Sequence, residues 1–272
     1  MNYQTHPTHP DLAGLVKLHW TLEVPAEARS RQRILPDGCV DLIFILADDI
    51  RRILPTGEGV KQPRAMVLGQ ITEAFDVEPE GRVDSFATRF HPYGASAFLN
   101  VPLKQLMNKE TPLAEVFGPG VSSELQRDVL TARDTEERIA VVERFLLERM
   151  KARRFKEDLV RRTVDLMLQT GGSTPIASLA DHDPARRRKM ERMFNERIGT
   201  SPKQLSKVIR LQTALRRMLD AKAQDLTGIA YESEFYDQAH FIKDFKEFAG
   251  VSPGEFFDHG MMALSARLYK PQ

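Results

Sequence analysis

The sequence contains a degenerate internal repeat, in which residues 194–202 (FNERIGTSP) recur as residues 245–253 (FKEFAGVSP). Each copy is typical of a helix end that carries its last buried aromatic residue, followed by a left-handed glycine and a Ser-Pro pair that opens the next helix. Two copies of one helical unit would present two similar surfaces side by side. This geometry suits a long polymer such as duplex DNA better than a catalytic pocket.

The length of 272 residues allows roughly two domains that each bury a core. No apolar run reaches the ~18 residues of a membrane span, and residues 1–4 (MNYQ) lack the charged-then-apolar pattern of a signal peptide. We therefore expect a cytoplasmic protein without a membrane partner. The single cysteine, Cys39, excludes an internal disulfide and a cysteine-cluster metal site, and its strand-like surroundings favour a buried thiol.

The net charge of +1 conceals a segregation of charge in the last third of the chain. Residues 186–222 hold twelve basic and three acidic residues, a balance of +9, whereas residues 223–256 hold two basic and seven acidic residues, a balance of −5. A basic stretch indicates either a solvated helix face or a nucleic-acid contact, and charge alone does not separate the two.

The first half of the chain, to about residue 125, carries short apolar runs that Gly- and Pro-containing turns separate. These runs predict the strands of a small barrel or sandwich, at residues 18–24, 40–46, 51–54, 65–68 and 83–90. A short helix is predicted at residues 95–99, ending before Pro102.

A helix is predicted at about residues 135–152, because Asp134 and Glu137 form a capping box and apolar residues then recur at helical spacing. The apolar stripe comprises Ile139, Val142, Phe145, Leu146 and Met150. This stripe can pack against either of two surfaces, the barrel of the same chain or the equivalent helix in a homodimer.

The charged stretch at residues 151–156 predicts a domain boundary, and helical patterns follow it. In each repeat unit a short helix (176–182; 226–233) precedes a second helix (about 186–198; about 237–249), and a long helix at 203–221 joins the units. This is the helix-turn-helix plan, whose second helix enters the DNA major groove. The predicted fold class is α+β with two domains, a β-rich barrel or sandwich (1–152) and an all-α domain with two helix-turn-helix units (157–257), followed by a tail (258–272).

The helical part resembles the AraC/XylS family of transcription regulators over about residues 157–257. The second unit carries the resemblance through residues 229–231 (IAY), 235–241 (FYDQAHF), 245–246 (FK) and 250–253 (GVSP). The first unit carries it through Leu179-Ala180, Met190, Arg192, Phe194 and residues 199–202 (GTSP). The resemblance implies a sequence-specific DNA-binding regulator without catalytic activity or cofactor, with double-stranded DNA and RNA polymerase as partners.

The chain departs from the family pattern at the turns of both units. Pro184 and Arg186 stand where the family has a turn glycine and a capping serine, and Glu234 stands at the turn glycine of the second unit. A left-handed turn costs a non-glycine residue roughly 1 kcal/mol, so we expect turns of a different shape or a cap supplied by Asp183.

Helical geometry separates the residues that pack from those that face outward. On the first recognition helix the core stripe contains Met190, Met193 and Phe194, and on the second it contains Phe241, Phe245 and Phe248. The outward-facing residues, which are predicted DNA contacts, are Arg187, Arg188, Glu191 and Arg192 in the first unit and Gln238, Ala239, His240 and Lys243 in the second. The resemblance implies base-edge contacts by Arg188, Glu191 and Arg192, and in the second unit Gln238 and Lys243 are the predicted readers. A surface pair with a neighbouring side chain is the alternative for Glu191. Lys203, Lys207 and Arg210 are predicted phosphate contacts.

The N-terminal half resembles the barrel-like sensor domain of a subset of this family. The resemblance lies in residues 33–44 (RILPDGCVDLIF), 69–70 (GQ) and 89–99 (RFHPYGASAFL). It implies a small-molecule effector, and the candidate ligand residues are Trp20, Arg33, Asp41, Phe44 and Arg89. The alternative is that the aromatic residues form the core and the charged residues lie on the surface.

Two other classes of protein compete with a regulator. A metal-dependent or other barrel enzyme fused to a helical interaction module is disfavoured, because His6, His9, His19 and His91 include no closely spaced pair on one strand with a following carboxylate. No Gly-x-Ser-x-Gly elbow or phosphate-binding glycine loop occurs either. A protein-interaction module would use the same helices without DNA. Loss of DNA affinity with rising salt distinguishes a regulator from such a module.

Overall fold

The computed structural model describes residues 1–151, 159–180, 182–220 and 238–258. Ten strands form the N-terminal domain: β1 (Asn2–His6), β2 (Val16–Val24), β3 (Gln32–Ile34), β4 (Val40–Ile45), β5 (Ile50–Ile53), β6 (Gly59–Lys61), β7 (Ala65–Leu68), β8 (Phe75–Pro79), β9 (Val83–Phe90) and β10 (Glu110–Pro112). One sheet has the order β1-β2-β9-β4-β7-β10 and the other the order β3-β8-β5-β6, and every pair is antiparallel. This confirms the predicted β-rich domain.

Strand β4 lies at the centre of the six-stranded sheet and is buried along its whole length. Its sequence, VDLIFI, is the near-continuous apolar run expected of a strand covered on both faces. It pairs with β9 on one side and β7 on the other. The polar exception is Asp41, and its buried partners are described with the candidate site.

Helices follow the sheets: α1 (Leu113–Phe117), α2 (Pro119–Thr131), α3 (Thr135–Lys151), α4 (Leu159–Gln169), α5 (Ile176–Leu179), α6 (Pro184–Arg197), α7 (Pro202–Asp220), α8 (Gln238–Ala249) and α9 (Pro253–Asp258). The predicted short helix at residues 226–233 and its turn residue Glu234 lie outside the described residues, as does most of the predicted tail. Among the described helices none combines the length and apolar character that crossing a bilayer requires.

Helix α3 forms as predicted, and its apolar stripe packs on its own domain. Val142 and Leu146 are fully buried, while Ile139, Phe145 and Met150 are partly buried against the same core. Phe145 meets Phe117 edge to face with ring centroids 5.2 Å apart. Of the two open alternatives for this stripe, the structure therefore supports packing within the chain.

One hydrophobic core continues from the sheets into the C-terminal helices. It joins Leu12, Phe90 and Phe98 of the first domain to Phe194 of α6 and Leu205 of α7. A second cluster lies between α7 and α8 and includes Leu35 from the first domain. The C-terminal helices are thus positioned by apolar contacts with the N-terminal domain as well as with one another.

The segment after β9 approaches another part of the backbone too closely for a side chain. A Cβ on Gly94 would lie 1.9 Å from the carbonyl oxygen of Leu15. Glycine is required here because the two backbone segments touch, and Gly94 itself has no positive φ angle.

We expect Gly94→Ala to lower the free energy of unfolding by about 1 to 3 kcal/mol, because the added methyl group overpacks a backbone contact. Gly120→Ala is the matched control, since a Cβ at Gly120 in α2 meets no atom within 4 Å. The control should leave stability unchanged or raise it by up to about 1 kcal/mol. Urea unfolding measures both, and equal stability of the two variants would contradict the inferred contact.

Candidate nucleic-acid interface

Helix α6, the predicted first recognition helix, begins at a side-chain cap. The carboxylate of Asp183 accepts a hydrogen bond from the backbone N–H of Ala185 at 2.8 Å. His182, directly before the cap, has a φ angle of 58°. The structure thus confirms the expected cap by Asp183 and places the left-handed residue of the turn at His182, which sequence reasoning had not identified.

The two faces of α6 differ sharply in exposure. Met190 and Phe194 are buried in the core, with Met193 partly buried beside them. Arg187, Arg188 and Arg192 are exposed, and Glu191 is half-buried. The guanidinium Nε of Arg187 donates to Glu191 Oε1 at 3.0 Å. Glu191 therefore forms the surface pair that the sequence had left as an alternative to a base contact.

A polar cleft of about 450 Å³ lies beside the exposed face of α6. Four of the predicted contact residues line it, three of them basic: Arg187, Glu191, Lys203 and Arg210. The remaining wall includes Ser173, Thr174 and Ser201, which the sequence had not suggested as site residues. The Gly-Gly pair at 171–172 marks the end of α4 in the sequence, but no local pattern shows that the following loop faces α7.

The N-terminus of α7 opens into this cleft. Ser201 caps the helix, because its hydroxyl accepts a hydrogen bond from the backbone N–H of Gln204 at 3.1 Å. Lys203 follows in the first turn and is exposed. The positive end of the helix dipole adds to the charge of the three basic side chains, so the cleft is suited to an anion such as a phosphate group.

Lys207, one turn further along α7, is occupied by carboxylates of α8. Its ammonium group lies 3.3 Å from Asp244 Oδ1 and 3.1 Å from Glu247 Oε2. Burial alone would lower the pKa of Lys207, but the hydrogen bonds with Glu247 and Asp244 raise it above its ordinary value. Lys207 thus holds α7 and α8 together in this structure, and its predicted phosphate contact stays a prediction.

Helix α8, the predicted second recognition helix, presents a different outward face. Phe241, Phe245 and Phe248 are buried, as the core stripe predicted. Gln238, Ala239 and Lys243 are exposed. His240 is half-buried, and its Nε2 atom lies 3.6 Å from Asp244 Oδ2. This face therefore carries less positive charge than the face of α6.

Residues 179–259 match a family described as "Helix-turn-helix domain", and these residues include α6, α7 and α8. This chain contains a helix-turn-helix domain. This match bears out the helix-turn-helix plan predicted for the C-terminal part of the chain. Residues 4–112 match a second family, described as "Domain of unknown function (DUF6597)".

The chain is similar to an uncharacterized HTH-type transcriptional regulator of Haemophilus influenzae, with 30% identity over 93 residues. That match covers 34% of this chain, which spans about a third (31%) of the relative's length. Among solved structures, ToxT from Vibrio cholerae O395 aligns at 13% identity and a TM-score of 0.46, covering 94% of this chain and 97% of ToxT. A 1.65 Å structure of ToxT from Vibrio cholerae aligns at 12% identity and a TM-score of 0.48, covering 95% of this chain and 98% of ToxT.

Three of the five predicted ligand residues of the N-terminal domain meet in one buried cluster. Arg89 donates from Nε and Nη2 to the two carboxylate oxygens of Asp41, both at 2.9 Å. Trp20 Nε1 donates to Asp41 Oδ1 at 3.1 Å, and Arg89 Nη2 lies 3.0 Å from Asp37 Oδ2. Burial would lower the pKa of Arg89, but Asp37 and Asp41 hold it well above its ordinary value. We call these four residues the Arg89 cluster.

The other two predicted ligand residues lie elsewhere. Phe44 is fully buried and stacks against Phe86 with ring centroids 6.2 Å apart. Arg33 donates to both carboxylate oxygens of Asp76 at 2.6 and 3.1 Å and to the backbone carbonyl of Ala249 at 3.4 Å. A small apolar cavity of about 50 Å³ is lined by different residues, among them Leu22, Val77 and Val83. The predicted ligand residues therefore stay a prediction.

Within the described parts of the chain, no three His, Cys, Asp or Glu side chains are placed to hold a metal ion together. Cys39 is buried, as expected, and burial raises the pKa of its thiol to about 12. His19, which is also buried, contacts Thr88 and Glu143, and burial lowers its pKa. His19 thus joins β2, β9 and α3.

We expect His182→Gly to raise the free energy of unfolding by about 0.5 to 1 kcal/mol, because glycine adopts a positive φ angle without the steric cost paid by histidine. Asp183→Ala is the companion variant and should lower it by about 1 kcal/mol through loss of the helix cap. Both effects are measured by chemical denaturation. A destabilised His182→Gly variant would contradict the left-handed turn.

Proposed function

We propose that this chain is a sequence-specific, DNA-binding transcription regulator whose N-terminal domain responds to a small-molecule effector. The observation that supports this proposal best is the exposed basic face of α6 beside the polar cleft at the N-terminus of α7. In this proposal Arg188 and Arg192, which are exposed, contact base edges, since arginine bound to guanine is the commonest specific contact in the major groove. Arg187, Lys203 and Arg210 would then face the phosphate backbone.

The two helix-turn-helix units contribute unequally in this proposal. The outward face of α6 carries several arginines, whereas the predicted contact residues on α8 are Gln238, Ala239, His240 and Lys243. In addition, the acidic residues Asp244 and Glu247 of α8 pair with Lys207, a basic residue of α7. Because phosphate neutralisation supplies much of the affinity for DNA, the first unit should dominate binding.

The proposal also includes partners and properties beyond DNA. RNA polymerase and a second copy of the chain are proposed partners, the location is proposed as cytoplasmic, and no catalytic activity is assigned. Light scattering of the purified protein tests whether two copies associate. Elemental analysis tests whether the protein is instead an enzyme, because stoichiometric zinc or iron would favour a metal-dependent barrel.

The operator is identified by sequencing the fragments of sheared DNA from the source genome that the purified protein retains. With that fragment, Arg188→Ala and Arg192→Ala should each weaken binding by about 1 to 3 kcal/mol, roughly 5- to 150-fold in Kd. Gln238→Ala and Lys243→Ala should have smaller effects. Arg133→Ala is the charge-matched control, because its exposed side chain lies between α2 and α3, remote in sequence from the cleft.

Band-shift titrations measure these variants at one fixed salt concentration, since affinity for DNA depends strongly on salt. Larger losses for Gln238→Ala and Lys243→Ala than for the arginine variants would reverse the proposed order of the units. Retention of no fragment, or binding that is insensitive to salt, would favour a protein-interaction module.

Lys203→Ala and Lys207→Ala form a further matched pair. Lys203 is exposed at the cleft, so its loss should reduce the slope of log K against log salt by about 1. Lys207 pairs with Asp244 and Glu247, so its loss should lower the free energy of unfolding and change the slope less. Salt-dependent DNA titrations and urea unfolding distinguish the two roles. Equal slope changes would contradict the assignment.

A further inference from the structure

The N-terminal domain holds the C-terminal helices at two separate places. Both places overlap segments that resemble a sensor domain, at residues 33–44 and 89–99. The first, which we call the Arg33 dock, comprises residues 33–39 at the end of β3 and in the loop before β4. The second, which we call the Tyr93 dock, comprises residues 91–106 after β9.

The Arg33 dock contacts the second helix-turn-helix unit. Leu35 is fully buried in the hydrophobic cluster of α7 and α8, and the Gln212 side chain of α7 donates to the Pro36 carbonyl. Arg33 donates to the Ala249 carbonyl at 3.4 Å. Beside it, the backbone N–H of Ala74 donates to the Phe248 carbonyl at 3.0 Å.

Phe248 and Ala249 are the last residues of α8, so their carbonyl groups have no partner within the helix. The N-terminal domain supplies donors for both carbonyls, and the charge of Arg33 also complements the negative end of the helix dipole. Asp76 holds Arg33 in place, and the Arg31 guanidinium lies 2.7 Å from the same carboxylate. The contact therefore combines directional hydrogen bonds with the apolar packing of Leu35.

The Tyr93 dock contacts the first unit and the helix before it. The Tyr93 hydroxyl donates to Asp165 Oδ1 of α4 at 3.4 Å, and the Arg161 guanidinium lies 5.9 Å from the Tyr93 ring centroid. After α6, Gly199 approaches the Leu103 carbonyl so closely that a Cβ would lie 2.8 Å from its oxygen. This dock shares the main hydrophobic core with α4 and α6.

Arg89 connects the Arg33 dock to the interior of the six-stranded sheet. It lies in β9, and its side chain binds Asp37 in the Arg33 dock. Asp41 and Trp20 complete the cluster, and all these groups are buried or nearly so. Removal of one partner of a buried ion pair leaves an uncompensated buried charge. Loss of either partner should therefore destabilise the structure around this cluster.

We propose that the Arg33 dock holds the second helix-turn-helix unit by the C-terminal end of α8, and that the Arg89 cluster couples this hold to the interior of the sheet domain. The base-contact face at Gln238 and Lys243 remains exposed in the docked state. The dock therefore controls the orientation of α8 and leaves its outward face accessible. A rearrangement around Trp20 and Asp41 would change the second unit with little effect on the first. This inference does not rest on DNA binding.

Hydrogen exchange on the full chain without DNA tests the proposal. Asp37→Asn removes the charge that Arg89 binds while keeping the side-chain volume. It should raise the exchange rate of α8 amides and of the Ala74 amide, which reports directly on the contact with Phe248, by at least about tenfold. Amides of α6 should change by less than about twofold. Asp49→Asn is the matched control, since Asp49 pairs with Lys61 and Arg64 away from both docks.

Leu35→Ala is a second variant that changes no charged side chain and so remains informative if Asp37→Asn fails to fold. It should also raise the exchange rates of the α8 amides and of the Ala74 amide, while the amides of α6 stay protected. Coupling between two sites is reciprocal, so Leu35→Ala should in turn increase acrylamide quenching of Trp20, the single tryptophan of the chain.

Three results would overturn the proposal. Unchanged exchange of α8 in both variants would show that the Arg33 dock does not hold the helix. Equal increases in α6 and α8 would show general destabilisation. Release of α8 by Leu35→Ala with unchanged Trp20 quenching would show a dock that is independent of the Arg89 cluster.

Discussion

The apolar core that continues from the sheets into α4, α6 and α7 is the contact on which the rest of the structure depends. Phe90 and Phe98 on one side and Met190 and Phe194 on the other belong to a single buried cluster. The outward direction of α6 follows from this packing, because burial of Met190 and Phe194 leaves the arginines exposed. The position of the basic face is therefore fixed by the N-terminal domain as well as by the helical domain.

The two helix-turn-helix units use their charged side chains differently, although they share a sequence repeat. In the first unit, basic side chains surround a cleft at the start of α7. In the second unit, Asp244 is buried at 5% exposure and binds Lys207 across the α7–α8 contact. One copy of the repeat thus directs its charge outward, while the other uses part of its charge to hold the helices together.

Local pattern was sufficient to predict most of the regular elements. The strand predicted at 65–68 has the observed limits, and the helices predicted at about 135–152 and 203–221 are observed as Thr135–Lys151 and Pro202–Asp220. Their apolar periodicity is strong and their ends carry capping or proline signals. Strands β1, β3, β6, β8 and β10 and helices α1 and α2 were not predicted, because their burial depends on neighbours distant in sequence.

The candidate site was predicted less completely, and for the same reason. Helical geometry identified the outward arginines of α6, but the pairing of Lys207 with α8 spans 37 residues to Asp244 and leaves no local pattern. Arg33, Asp41 and Arg89 were predicted as polar groups of a ligand pocket. That Arg89 and Asp41 bind each other, and that Arg33 reaches Ala249 across 216 residues, follows only from the tertiary structure.

Calorimetric unfolding of the full chain tests the shared core most directly. If one core positions both domains, the chain should unfold in a single transition, with a ratio of calorimetric to van't Hoff enthalpy of about 1. Two separated transitions, one for the sheets and one for the C-terminal helices, would contradict this account.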